Sequence, residues 1–169
     1  MTDIDSISVL ARTLVGELIT AGKCVSTAES CTGGWIAKSL TDISGSSQCF
    51  GYGVVSYSNG AKESMLGVAA ATLSEHGAVS EAAVREMATG VLNLSGADFS
   101  VAVSGVAGPD GGTDEKPVGT VWFGWAMRTG QKMTVKAEQH NLQGDRAAIR
   151  SGTVILALQG IREMLVNGG

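Results

Sequence analysis

Residues 24–35 read CVSTAESCTGGW, and this segment carries the strongest signal for the fold class. Cys24 to Ala28 predicts a short strand, which runs into a turn over Glu29 to Gly34 that ends in two glycines. The chain then continues as a predicted helix from Trp35 to Asp42. A strand that passes through a turn into a helix is typical of α/β proteins, in which the two kinds of element alternate along the chain.

Predicted strands and helices also alternate along the rest of the chain. Helical spacing of apolar residues between Ile7 and Leu18 predicts a first helix, and Gly22 is a plausible stop for it. Further strands are predicted at residues 49–58, 99–108, 118–128 and 133–142, and further helices at residues 61–66, after Ser80 and from about Asp145. Strands interleaved with helices and followed by a hairpin predict an α/β fold, a three-layer α/β/α sandwich with a mixed sheet. We expect residues 1–169 to form one domain.

Three polar positions predict where helices begin. Thr72 to Glu75 reads TLSE, which fits a capping box at the start of a single helical turn. Ser80 is predicted to cap a longer helix, and Asp145 is predicted to cap the last one.

The composition is that of a globular protein. Hydrophobic residues make up 44% of the chain and charged residues 17%, which is too apolar and too weakly charged for disorder. The net charge of −4 argues against a surface that neutralises phosphates, so we expect no nucleic-acid partner. Glycine is unusually frequent, at 24 of 169 residues, about twice its average usage. In so apolar a chain this indicates tight turns and backbone brought close to a ligand.

The sequence predicts a cytoplasmic protein without a membrane span. The N-terminus is acidic and lacks the basic region and apolar core of a secretory signal. No apolar run approaches the roughly 18 residues that indicate a membrane helix. The three cysteines, Cys24, Cys31 and Cys49, form no CxxC pair, which favours a reduced compartment and argues against a zinc site. We expect no metal, no cofactor and no membrane partner.

Four segments follow strands or open helices, where ligands of open α/β sheets bind. They are residues 29–34, 59–62, 104–112 and 144–146. In the first, Ser30 stands between a strand and a helix N-terminus. Its hydroxyl is a candidate nucleophile, and the amides of Thr32, Gly33 and Gly34 are candidate oxyanion donors. The G-x-S-x-G pattern is absent, and a simple helix cap is the commoner role for such a serine.

A nucleophilic serine needs a base. His76 and His140 have no obvious carboxylate orienter in the sequence, so a Ser-His-Asp triad is unsupported. Lys62 is the better candidate, because it opens a helix whose dipole disfavours a cation and helps to depress its pKa. Tyr57 is predicted to relay a proton or hold the lysine. The ordinary alternative for this pair is a solvated lysine and a strand tyrosine.

Weaker candidates complete the predicted site. Ser104 and Gly105 open the loop SGVAGPDGG, which is predicted to wrap a phosphate or ribose, although a mobile surface loop is the alternative. Arg146 stands in a first helical turn against the dipole preference, which indicates a nearby anion. Cys31 at a helix N-terminus is either a thiol of lowered pKa or a buried bystander.

These motifs together resemble the CinA C-terminal domain family. The resemblance is carried by residues 27–34 (TAESCTGG), 57–62 (YSNGAK), 76–80 (HGAVS), 104–112 (SGVAGPDGG), 116–121 (KPVGTV) and 144–146 (GDR), and it covers about Ile7 to Leu165. The motifs are long and ungapped, which makes the match specific. Full-length CinA proteins also carry a molybdopterin-binding-like domain, for which this chain has no room, so it resembles the stand-alone form.

The resemblance implies a nicotinamide-nucleotide amidase, which converts nicotinamide mononucleotide (NMN) to nicotinate mononucleotide and ammonia in pyridine nucleotide recycling. It implies that Ser30 is the nucleophile, Lys62 the general base and Tyr57 an assisting group. It also implies that Ser104, Gly105 and Arg146 hold the ribose phosphate. The alternatives are a nucleotide-binding module that acts through partners without catalysis, and an amidase for another small carboxamide.

A homodimer is expected as well. Trp122, Phe123 and Trp125 stand close together on one predicted strand, so both of its faces need to be buried. We expect helices alone not to cover both faces, which leaves one for a second copy of the chain.

Overall fold

A computed structural model describes residues 3–167. It contains five strands and six α-helices, together with one short 3-10 turn at Ser46–Gln48. In chain order these are α1 (Asp3–Ala21), β1 (Val25–Glu29), α2 (Trp35–Thr41), β2 (Phe50–Val55), α3 (Asn59–Leu66), α4 (Ala70–His76), α5 (Glu81–Ser95), β3 (Phe99–Gly105), β4 (Thr120–Thr129), β5 (Lys132–Asn141) and α6 (Arg146–Asn167).

The strands form one mixed sheet in the order β2-β1-β3-β4-β5. Strand β1 runs parallel to both β2 and β3, whereas β4 is antiparallel to β3 and to β5. The chain leaves β1 for β2 on one side and returns to β3 on the other side. The carboxyl ends of β1 and β3 therefore flank a switch point, which is where open α/β sheets bind ligands.

Helices cover both faces of the sheet, which confirms the predicted three-layer sandwich. On one face α1, α2 and α6 bury a core that includes Val101, Phe123 and Trp125. On the other face α5 packs on β3 and β4, around Met87 and Ala102, and α3 and α4 pack against α5. No helix within residues 3–167 is long and apolar enough to cross a membrane.

The expectation that helices leave one face of the Trp122–Trp125 strand uncovered is wrong. Strand β4 lies inside the sheet, with Phe123 and Trp125 buried under α6 and its neighbours. The Trp125 indole N–H donates to the Ala157 carbonyl of α6 at 3.1 Å. On the opposite face α5 approaches closely, because a Cβ on Gly124 would lie only 2.4 Å from the Val84 carbonyl oxygen. The chain itself covers both faces of this strand.

The predicted capping box is also wrong, whereas the other two predicted caps are confirmed. Helix α4 begins at Ala70, and Glu86 of α5 accepts hydrogen bonds from the Ala69 N–H at 2.7 Å and the Thr72 hydroxyl at 2.6 Å. A carboxylate distant in sequence thus replaces the local cap. Ser80 accepts from the Ala83 N–H at 3.2 Å, and Asp145 accepts from the Ala148 N–H at 2.9 Å.

Candidate active site

The four segments singled out in the sequence meet at one cleft of about 290 Å³. It lies at the carboxyl ends of β1 and β3, beside the first turns of α3 and α6. The residues that line it are Ser30, Cys31, Tyr57, Asn59, Lys62, Ala78, Val79, Ser104, Gly105, Val106, Ala107, Gly108, Asp110, Gly111 and Arg146. The structure therefore brings together Ser30, Lys62, Tyr57, Ser104, Gly105 and Arg146, but not Thr32, Gly33 or Gly34.

Ser30 and Lys62 form a hydrogen-bonded pair on the inner wall of the cleft. Lys62 Nζ lies 3.1 Å from Ser30 Oγ and donates to the Ser56 carbonyl oxygen at 2.7 Å. Lys62 is 1% exposed and Ser30 9% exposed. Burial disfavours the charged ammonium and lowers the pKa of Lys62 below its ordinary value. The solvated-lysine alternative is therefore wrong.

Ser30 does not cap helix α2. The buried Glu29 carboxylate does so instead, by accepting from the backbone N–H groups of Gly34 at 3.1 Å, Ile36 at 3.0 Å and Ala37 at 2.8 Å. A carboxylate at a helix N-terminus satisfies unpaired amides and complements the helix dipole. Because Glu29 caps the helix, the Ser30 hydroxyl is available for the hydrogen bond with Lys62.

Only some of the hydrogen-bond donors in the turn after Ser30 have an acceptor in another residue. The Thr32 hydroxyl donates to Glu29 at 2.6 Å, the Gly34 amide donates to the same carboxylate, and the Gly33 amide donates to the Ser30 carbonyl at 3.0 Å. In contrast, the amides of Cys31 and Thr32 donate to no group of another residue within residues 3–167, and the Cys31 amide contacts only its own thiol sulfur. These two amides directly follow Ser30. The sequence instead predicts the amides of Thr32, Gly33 and Gly34 as the oxyanion donors.

Cys31 lines the cleft as a buried thiol. Burial raises its pKa to about 12, and this effect outweighs the hydrogen bond from the Cys31 backbone N–H and the nearby cations Arg150 and Lys62, which lower it. The pKa of the thiol is therefore not lowered, so that alternative is wrong, and its burial favours the bystander interpretation.

Tyr57 and Arg146 face each other at the outer side of the cleft. Tyr57 is 61% exposed, and its hydroxyl accepts a hydrogen bond from Arg146 at 3.1 Å. Arg146 also donates to the Gly108 carbonyl at 2.8 Å, which ties α6 to the loop after β3. The predicted contact between Tyr57 and Lys62 is absent from the described structure, and the tyrosine pairs with the arginine instead.

The loop after β3 forms the remaining wall. Ser104 is buried at the end of β3, and Gly105 lies so close to β4 that a Cβ there would be 2.8 Å from the Thr120 carbonyl oxygen. Beyond it, the amides of Ala107, Gly108 and Gly111 donate to no group within residues 3–167. Unpaired loop amides that line a cleft are suited to bind an anion.

Neither histidine lines the cleft. His76 lies 3.9 Å from the Glu75 carboxylate and His140 3.3 Å from the Glu138 carboxylate, both in partly solvent-exposed positions. Within residues 3–167 no three His, Cys, Asp or Glu side chains are grouped so as to hold a metal ion.

Several residues at or beside the cleft were not predicted from the sequence as functional residues. Arg150 stands one helical turn after Arg146, a spacing that places both on one face of α6 and offered a usable signal. Asp110 lies within a segment already singled out, but no role was predicted for it. Ala78 and Val79 line the cleft from the connection between α4 and α5. Their apolar side chains carry no reactive group, so no sequence signal assigned them to a site.

The mixed sheet, and the cleft at the carboxyl ends of its parallel strands, define an α/β protein with a small-ligand site. The chain belongs to the CinA C-terminal domain family, whose model matches residues 7–165.

Similar proteins include enzymes whose names state an activity. The chain is 54% identical over 147 residues to nicotinamide-nucleotide amidohydrolase PncC of Enterobacter agglomerans, covering 86% of this chain and 88% of that protein. It is 53% identical over 146 residues to the protein of the same name from Escherichia coli K12, covering 86% and 87% of the two chains. A crystal structure of a CinA superfamily protein from Klebsiella pneumoniae matches with a TM-score of 0.89 and 42% identity, over 95% of this chain and 98% of that one.

Proposed function

We propose that this protein hydrolyses the carboxamide of NMN to nicotinate mononucleotide and ammonia, as a step in pyridine nucleotide recycling. That it is a hydrolase of amide C–N bonds follows from its likeness to the two amidohydrolases named above. The observation that carries the mechanism is the 3.1 Å contact between the buried Lys62 amine and the Ser30 hydroxyl. Such a pair can activate a serine without a histidine or a metal.

Ser30 is the nucleophile and Lys62 its general base. The neutral amine accepts the hydroxyl proton while Ser30 Oγ forms a bond to the carboxamide carbon. The Ser56 carbonyl holds Nζ through one of its N–H groups, which directs the nitrogen lone pair to the serine. The lowered pKa of Lys62 raises the fraction of protein with a neutral amine at a given pH.

The tetrahedral intermediate carries its negative charge on the former carboxamide oxygen. The Cys31 amide, which donates to no other residue, adjoins the nucleophile at the cleft and is the donor best suited to it. The C–N bond then breaks, and the Lys62 ammonium returns its proton to the departing nitrogen, which leaves as ammonia. Water attacks the acyl-enzyme with Lys62 again as base, which releases the carboxylate and restores Ser30.

The ribose phosphate occupies the outer end of the cleft. Arg146 is the cation there, and the unpaired amides of Ala107, Gly108 and Gly111 lie in the loop that it contacts. Ser104 and Gly105 form the floor between this end and Ser30. Tyr57 assists by accepting from Arg146, which restricts the guanidinium to the cleft side of α6.

The decisive experiment compares ammonia release from NMN by the wild type and by Ser30→Ala. Ser74→Ala is the matched control, because this exposed serine on α4 lies outside the cleft. We expect Ser30→Ala to abolish release with an unchanged unfolding temperature, and the control to behave like the wild type. If the wild type binds NMN in a calorimeter but releases no ammonia, the non-catalytic binding module is the correct alternative. Release from a different carboxamide alone would identify another amidase.

We further infer that the protein is cytoplasmic and pairs as a homodimer through β2. The three described cysteines are free thiols, which suits a reducing compartment. Strand β2 is an edge of the sheet, with Tyr52 and Val55 exposed, and no charged residue occurs from Ile43 to Ala61. Edge strands without charged residues are prone to pair with another chain, and a strand can pair with its own copy across a twofold axis.

Light scattering tests the homodimer. We expect a dimer mass for the wild type at micromolar concentration and a shift towards monomer for Val55→Lys. Thr134→Lys, on the opposite edge strand β5, is the control and should leave the mass unchanged. A monomer mass for the wild type would contradict the inference.

A further inference from the structure

Arg150 holds the turn that follows the nucleophile, although it does not line the cleft. Its Nε donates to the Cys31 carbonyl at 3.2 Å, and a terminal nitrogen donates to the Thr32 carbonyl at 2.8 Å. The guanidinium also lies over the Trp35 ring, 5.4 Å from its centroid. A planar cation with several donors suits this double contact, because it can bond two neighbouring carbonyls at once.

These contacts determine where the neighbouring amides point. A trans peptide group is planar, so the carbonyl of one residue and the N–H of the next point in opposite directions. A donor on the Cys31 carbonyl therefore fixes the direction of the Thr32 N–H. The Gly33 amide bonds the Ser30 carbonyl and in the same way fixes the Cys31 N–H. Arg150 also holds the Thr32 carbonyl and thus fixes the Gly33 N–H, so the amides of both Cys31 and Thr32 depend on this arginine.

We propose that Arg150 is a positioning residue for acyl transfer, which fixes the Cys31 amide at the cleft so that it receives the negative charge of the tetrahedral intermediate. The proposal rests on the nucleophilic role of Ser30 given above. Arg150 touches neither the substrate nor the reacting atoms, and it acts through the two carbonyls that it bonds. Because charge on the carboxamide oxygen grows only in the transition state, loss of Arg150 lowers kcat more than it raises KM.

A purely structural role makes a different prediction. Arg150 joins α6 to the turn before α2, so its loss could simply loosen the packing of the two helices. Loosening would lower the unfolding temperature and disturb substrate binding together with turnover. Two properties separate the roles, namely the division of the loss between kcat and KM and the recovery of activity when a free guanidinium ion occupies the vacated place.

The experiment uses Arg150→Met, which removes every donor but keeps an unbranched apolar stem. Arg162→Met is the matched control, because this α6 arginine bonds Glu17 at 2.7 to 3.0 Å outside the cleft. Ammonia release from NMN is measured for both variants. In parallel, mass spectrometry follows the reaction of Ser30 with an alkyl fluorophosphonate, in which a P–O bond forms, fluoride leaves and charge develops on the phosphoryl oxygen.

We expect Arg150→Met to lower kcat by about 10²-fold with KM changed less than about threefold, because small misplacements of catalytic groups have effects of that size. The phosphonylation of Ser30 slows as well, and both reactions keep their wild-type rates in Arg162→Met. In Arg150→Ala, guanidinium chloride at concentrations far below those that unfold the protein restores part of both rates. If Arg150→Met does not fold, Arg150→Lys and the guanidinium-treated alanine variant carry the same comparison.

The outcomes are distinct. Wild-type kcat and phosphonylation rates in Arg150→Met overturn the proposal. So does a parallel loss of kcat, substrate affinity and unfolding temperature without a response to guanidinium. If the wild type releases no ammonia from NMN, the proposed function fails, but the phosphonylation arm still decides the role of Arg150.

Discussion

Two clefts of similar size differ in the state of their polar side chains. The cleft at the ends of β1 and β3 measures about 290 Å³, whereas a groove between β5 and α6 measures about 350 Å³. The larger one is lined by Lys136, Glu138 and His140 along with Trp125 and Glu163. Size and polar lining therefore do not distinguish the candidate active site from the β5 groove.

The difference lies in solvent exposure and pairing. In the β5 groove the Lys136 side chain is 58% exposed and lies 2.6 Å from Glu138, which in turn contacts His140 at 3.3 Å. Hydrogen bonds from Lys136 and then His140 lower the pKa of Glu138, so this cluster neutralises itself in the presence of water. Lys62, in contrast, is 1% exposed and has no carboxylate partner within residues 3–167, and burial lowers its pKa. A buried amine without a counter-ion destabilises the fold, and the proposed role of Lys62 as general base is a reason for the fold to keep it.

The largest effect is expected when this buried amine is removed. Lys62→Met keeps the volume but leaves Ser30 without a base, so turnover of NMN should fall by about 10²- to 10⁴-fold. Lys62→Arg should not restore it, because arginine stays protonated near neutral pH. Steady-state ammonia release measures both, with Lys38→Met, an exposed lysine paired with Asp42, as the control.

The same substitution should also change the free energy of unfolding in a pH-dependent way. Burial lowers the folded pKa of Lys62, so the unfolded chain binds more protons between that pKa and the ordinary lysine value of about 10.4. The penalty for the buried amine is therefore full below the folded pKa and disappears as pH rises towards the unfolded one. Lys62→Met should be more stable than the wild type at neutral pH, and urea unfolding should show the advantage shrinking in alkali. A pH-independent difference would contradict burial as the cause of the pKa shift.

A smaller effect is expected at the outer end of the active-site cleft. Arg146→Gln removes the cation proposed to bind phosphate, and a hydrogen bond to a charged group contributes about 1.5–3 kcal/mol, equivalent to about a 10- to 10²-fold rise in KM for NMN. The variant should also lose preference for NMN over the riboside that lacks the phosphate. Arg128→Gln, which loses an exposed bond to Asn93, is the control. Retained discrimination between the two substrates would place the phosphate elsewhere.

The pH dependence of the wild-type reaction tests the pKa of Lys62 without any substitution. The wild-type kcat/KM should rise with pH by up to about tenfold per unit while Lys62 loses its proton, and level off above the lowered pKa. The plateau should begin below the ordinary lysine value. A plateau that begins only at or above that value would indicate that burial does not tune the base.

Strands, helices and the central pair could be predicted because their signals are local. The predicted strand and turn before Trp35 put Ser30 at the carboxyl end of a strand. The predicted start of the next helix made Lys62 the candidate base. The family resemblance then raised Ser30 above the commoner role of a cap. The structure supplies the physical reason why the cap was the wrong alternative, since Glu29 already satisfies the amides of α2.

The groups that position the site depend on contacts distant in sequence. Arg150 reaches carbonyls 119 and 118 residues away, and Glu86 replaces the predicted cap of α4 from the next helix. The spacing of Arg150 from Arg146 indicates that they share a helix face, but no spacing in a single sequence identifies hydrogen-bond partners so far apart in the chain. The predicted contact of Tyr57 with Lys62 failed to appear for the same reason, because the partner of Tyr57 is Arg146 of α6, 89 residues further along the chain.

The smallest effect is expected from a substitution in the β5 groove. Glu138→Gln removes the charge shared by Lys136 and His140, yet exposed ion pairs contribute only about 0.2–1 kcal/mol. Ammonia release from NMN should stay within about twofold of the wild type, and the unfolding temperature should change by no more than about 4 °C. A large loss of turnover would show that the β5 groove takes part in catalysis or in an assembly that catalysis needs. The exposed ion-paired cluster of the β5 groove would then matter for turnover just as the buried amine of Lys62 does. Burial of a charged side chain would in that case not show which of the two clefts is catalytic.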